Sequence, residues 1–153
     1  MTLPQRIDLK AVRDRIGAYA DKSASLEDRT DIYRELIGFV PPRIEARMAV
    51  TGALDPALLD MQEKMREHAM YPKCFDVKTA QLMLFGMLLM DLSDAAQLHA
   101  IAARKAGASW EEMQAVVSLC FLFRGLPAAN RGAEILANVA KRETDLKPVA
   151  SGL

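Results

Sequence analysis

Two side chains in this chain, His68 and His99, change charge near neutral pH by their ordinary chemistry. His99 lies in "LHAIAARKAGASWEEM", residues 98 to 113. On a helix, Ala95 and Ala96 fall one turn before it and Ala102 and Ala103 one turn after. Two readings follow. His99 packs into space that the alanines leave open, or the alanines leave a pocket for a small molecule beside a proton-carrying group. An imidazole with its usual pKa near 6.5 suits general acid or base catalysis at neutral pH. His68 closes "QEKMREH" and reads as a cation at a helix C-terminus.

Other chemistries lack their residues. A di-iron site in a helical bundle needs Glu-x-x-His pairs, but the residues three before the histidines are Met65 and Ala96. No H-E-x-x-H, phosphate-binding glycine loop, dinucleotide fingerprint or G-x-S-x-G elbow occurs. Cys74 and Cys120 form no C-x-x-C. The expectation is a protein with no metal and no cofactor. Four further residues have both a chemical and a plain reading. Asp94 is a helix-start charge or an orienting partner of His99. Arg124 is a cation at a helix C-terminus, favoured by the dipole by roughly 0.3–1 kcal/mol, or a fork-like clamp for a substrate carboxylate. Cys74 and Tyr71, in and beside "YPKCFD", are ordinary loop residues or line a pocket.

The elements that must position these groups are helices. Asp8 can cap a helix running to about Asp21, and a second spans about Glu27 to Gly38. Pro42 opens a short helix ending at Gly52. Asp55-Pro56 starts the next one, which precedes "YPKCFD". Asp76 can cap a helix to Met90 that is apolar all round, and so buried in the core or between subunits. Ser93 or Asp94 caps the helix of His99, which Gly107 stops. Ser109 and Glu112 form a capping box, and the helix they start ends near Arg124-Gly125. Pro127 opens the last helix, which fades after Glu143. Short turns between residues 76 and 143 make neighbouring helices antiparallel. The expected division is a helical extension over 1–54, a core over 55–145 and a loose tail over 146–153.

The totals agree with one soluble globular protein. The chain has 153 residues, 51% of them hydrophobic and 26% charged, with a formal net charge of zero. A balanced charge argues against a nucleic-acid partner and leaves copies of the chain little mutual repulsion. The nine-residue run "LMLFGMLLM", 82–90, is far short of the roughly 20 residues that span a bilayer, and "MTLPQRIDLK" has no apolar signal core. No membrane contact, a cytoplasmic location and free thiols are expected. Nine methionines, several around the 76–90 helix, read as core and subunit contact.

Three segments together resemble the carboxymuconolactone decarboxylase family, with its AhpD-like fold: "DVKTAQLMLFGMLL", the histidine followed by "AARKAGASWEEM", and "GLPAAN" at 125–130. The similarity covers roughly residues 70 to 141. It implies an all-α antiparallel bundle that assembles as a homotrimer or homohexamer. The peroxidase branch of that family carries two cysteines before the histidine. Leu92 and Ala95 stand at those positions, so thiol-dependent peroxide reduction is not expected. Gln81 stands where that branch has a glutamate proton relay. What remains resembles the decarboxylase branch. This implies a cofactor-free lyase acting on a small carboxylated lactone or unsaturated acid from aromatic breakdown. His99 would be the general acid, Gln81 would stabilise the oxyanion and Arg124 would hold the carboxylate. An isomerase or lactone hydrolase using His99 as base is the alternative, and a silent ligand-binding oligomer is a third.

Overall fold

The computed structural model describes residues 6–146. Among these residues there are eight α-helices and no strand: α1 (Leu9–Arg15), α2 (Leu26–Ile37), α3 (Pro42–Leu54), α4 (Pro56–Met70), α5 (Val77–Met90), α6 (Ala95–Lys105), α7 (Trp110–Arg124) and α8 (Leu126–Leu146). The all-α expectation is met. The chain forms two compact units, Met1–Cys74 and Phe75–Leu153.

In the first unit the Asp8 carboxylate accepts the Ala11 N–H at 2.9 Å and starts α1. This helix ends at Arg15, well short of Asp21, because the chain turns at Gly17 with φ +149°. The residues after it belong to a buried ion network instead. Arg29 of α2 pairs with Asp21 and, at 3.1 Å, with Asp60 of α4. Burial pushes the Asp21 carboxyl up, but the Ser23 hydroxyl and N–H and the Arg29 guanidinium outweigh it and hold the pKa at about 2.

Helix α4 starts at Asp55-Pro56 as the sequence predicts, with Asp55 accepting the Leu58 N–H at 3.0 Å. Its buried Glu63 accepts from the Tyr33 hydroxyl at 3.2 Å, from Arg66 Nε at 3.2 Å and from Arg47. The Arg66 guanidinium lies 4.4 Å from the centroid of the Tyr33 ring. These contacts place α4 with α2 and α3. The unit boundary therefore falls after Cys74, not at the expected 54/55 junction. Most of the expected tail, residues 147–153, lies outside the described residues, and 146 ends α8.

The second unit is built by α5 to α8. Asp76 caps α5 through the Thr79 N–H at 2.7 Å, and Ser109 and Glu112 cap α7 as a reciprocal box. Gly107, at φ +98°, turns the chain between α6 and α7. The Ser93 hydroxyl, not the Asp94 carboxylate, accepts the Ala95 N–H at the start of α6. Three bonds join α5 to α7, each between residues 34 apart: Lys78 Nζ to Glu112 at 2.8 Å, Cys120 Sγ to the Gly86 carbonyl at 3.4 Å, and Arg124 Nε to the Met90 carbonyl at 3.1 Å. A constant offset means the two helices run parallel and in register.

Helices α6 and α8 are also parallel, tied in order by Asp94–Arg131, Gln97–Asn138 and Arg104–Glu143. Arg104 also stacks over the Trp110 ring, 4.0 Å from its centroid. At Gly132, where a Cβ would sit 2.6 Å from both Val117 methyl carbons, α8 meets α7 with no room for a side chain.

Candidate functional site

Gln81 lies in the second turn of α5 and His99 in the second turn of α6. Their side chains meet: His99 Nδ1 is 2.7 Å from Gln81 Oε1. An amide oxygen only accepts, so Nδ1 carries the proton and donates it. The other ring nitrogen, Nε2, is then an unprotonated lone pair. The ring is half-buried, and burial lowers its pKa to about 4. At neutral pH His99 is therefore neutral, with one tautomer selected by Gln81. Gln81 is fully buried, and its Nε2 has no hydrogen-bond partner.

This geometry changes four expectations. The first is the cavity. Ala96, Ala102 and Ala103 have no surface that water can touch, from outside or from within, and Ala95 is half-buried. No water-sized void lies against those three alanines; they are packed interior. The pair is reached at the part-exposed His99 ring. The same holds for Gln81, whose buried amide positions the imidazole and does not face a substrate oxygen. The third is Asp94, whose carboxylate accepts from Arg131 Nη2 at 2.7 Å and so serves as an ion pair between α6 and α8. The fourth is Arg124. It is exposed, and its Nε is taken by the carbonyl of Met90, nine residues and about 13 Å along α5 from Gln81.

Tyr71 and Cys74 are exposed residues in and after the C-terminal end of α4 and belong to the first unit. His68 is exposed on α4. Of the sequence candidates in the second unit, Gln81 and His99 are brought together. The residue that sequence reasoning misses is Arg131. Its signal was a cation in the second turn of the last helix, available to the acid of the short 91–94 turn.

Among the described residues, no group of three or more His, Cys, Asp or Glu side chains is placed to hold a metal ion. No helix among them is long and apolar enough to cross a membrane. Comparisons with protein-family models, curated proteins and solved structures find no match for this chain.

Proposed function

We propose that the chain is a cofactor-free proton-transfer enzyme in which neutral His99 acts as a base on a small carboxylated lactone or unsaturated acid. The substrate class comes from the resemblance to carboxymuconolactone decarboxylases. The observation that carries the base role is the 2.7 Å bond from Nδ1 to the buried Gln81 amide. It leaves Nε2 free to accept a proton from a carbon next to the substrate carbonyl. A substrate carboxylate docked nearby raises the ring's proton affinity, so that the ring holds the proton it takes and returns it to another carbon. Isomerisation uses this one group for both proton transfers, while the enolate oxygen formed between them still requires a donor; the same base can activate water for lactone opening.

The lyase reading asks for a different starting state. Decarboxylation with His99 as acid needs the imidazolium. A ring titrating at about 4 carries that second proton in roughly one molecule in a thousand at pH 7. In the free protein the base reading has its starting state already in place, while a docked carboxylate raises the ring's proton affinity for either reaction.

A panel of small carboxylated lactones and unsaturated acids, screened by thermal shift and then by product analysis, identifies the reaction. His99→Ala is expected to lower turnover by roughly 10²–10⁴-fold. Gln81→Glu puts a carboxylate beside the ring and should move the acid limb of kcat/KM to higher pH. Full activity in His99→Ala, or an acid limb that Gln81→Glu leaves in place, refutes the role.

A further inference from the structure

Helix α1 lies over a gap that it does not fill. None of its residues is buried. Leu9, Val12 and Arg13 stand at i, i+3 and i+4, on one face of it. A cavity of about 190 Å³ opens between that face, the Tyr19 ring, Leu26 at the start of α2 and Ala49 of α3. Its walls are held in place. The Tyr19 hydroxyl donates to the Ala24 carbonyl at 2.8 Å and accepts from Arg29 Nε at 3.1 Å. The ring lies on the backbone of Gly52, where a Cβ would sit 2.4 Å from two ring carbons. The neighbouring Ala20 N–H donates to the Gly52 carbonyl at 3.0 Å. Tyr19 is therefore fixed at both ends and does not swing in, and a space of a kind that packing ordinarily fills stays open. All of it belongs to the first unit, outside residues 70 to 141, which carry the family resemblance.

We propose that this cavity binds a small carboxylic acid with a single-ring or branched hydrocarbon body. Size and chemistry both select that class. A void of roughly 150 Å³ in a protein interior holds one benzene molecule. The space here therefore takes a six-membered ring and a short substituent, but not a long acyl chain. The aliphatic walls and the face of Tyr19 suit a hydrocarbon body. Arg13 carries the one charge among the lining residues. Its side chain is 63% exposed, which puts the guanidinium at the mouth. Its Nε is 3.5 Å from the Asp14 carboxylate, which Lys10 also holds, and its two terminal nitrogens bond to nothing among the described residues. A fork of free N–H groups matches a carboxylate. Glu45 stands one turn before Ala49 on α3, with Oε1 accepting from Arg6 at 3.4 Å and Oε2 buried without a partner. Its charge disfavours an acid on the α3 side and leaves Arg13 as the place for one.

The test is a titration of the full, isotopically labelled chain with benzoate at up to millimolar concentration, followed by the amide NMR signals. Benzyl alcohol and benzylamine serve as the neutral and cationic counterparts. Benzoate is expected to cause saturable shifts within residues 9–26 and at Ala49. Arg13→Gln should weaken benzoate about tenfold, the size of one charge-assisted bond, and leave benzyl alcohol unchanged. Val12→Phe, which fills the cavity from a surface helix, should abolish binding of both. If that variant fails to fold, the Arg13→Gln titration decides alone. No saturable shift at these residues overturns the proposal, and so do shifts confined to the surroundings of His99. Benzoate affinity that Arg13→Gln leaves intact, or benzylamine binding as tightly as benzoate, overturns it as well.

Discussion

His99 carries a stability signature as well as a chemical one. Its folded pKa is about 4 and its unfolded value near 6.5. Between those values the unfolded chain binds a proton that the folded chain refuses. Stability should be complete above about pH 6.5 and fall as the pH drops towards 4, by on the order of 3 kcal/mol from this group. Urea unfolding at about pH 7 and about pH 4.5 should show this drop in the wild type, and a smaller one in His99→Ala. Equal drops in both would mean that the ring is not held neutral. The position of His99 was legible in the sequence, because one imidazole stood among alanines. Its state was not, since burial is set by packing against helices that the sequence around His99 does not name. Gln81 was visible only through the family resemblance. Arg124 stands in the last turn of α7, as its plain reading had it, but its partner is a backbone carbonyl, which no side-chain pattern announces.

At the scale of elements, the sequence marks starts better than stops. Asp8, Asp55, Asp76 and Ser109 each cap the helix they were expected to cap, since a cap is a local exchange of one side chain with one N–H. The end of α1 was missed because Gly17 and the Asp21–Arg29 pair compete with helix continuation. The allegiance of α4 was missed for a similar reason: it depends on Glu63 meeting residues 16 and 30 positions away. Packing between elements leaves its own test at Gly132. A methyl there would sit 2.6 Å from two carbons of a β-branched side chain on α7, and 3.2 Å from Leu89. Valine has little freedom to turn away. Gly132→Ala should gain helix propensity yet still cost about 1–3 kcal/mol, read as a lower urea midpoint with an unchanged slope. A neutral or stabilised variant would show that α7 and α8 yield easily.

For the whole molecule, the apolar all-round pattern of α5 was read as burial in the core or between subunits. The structure separates the two: Phe85 and Leu89 face inward, while Met83 and Met87 remain outside. If copies associate through that outer side, folding is coupled to concentration, because a partner that binds only the folded state stabilises it by mass action. The melting temperature should rise by a few degrees when the protein is concentrated a hundredfold. Scanning calorimetry at several concentrations checks this, and a fixed melting temperature would argue for a chain that melts alone.

The fixed 34-residue spacing between α5 and α7 also says where the chain could lengthen or shorten over evolution. One residue added inside either helix turns everything beyond it by about 100°. Lys78–Glu112, Gly86–Cys120 and Met90–Arg124 could not then all survive. One residue added in the turn at 91–94, or in the one at 106–109, leaves every pair intact and only changes the spacing to 35 along the whole length. Descendants of this sequence should accordingly differ in length at those two turns, and each should keep a single spacing, whatever its value, from the first tie to the last.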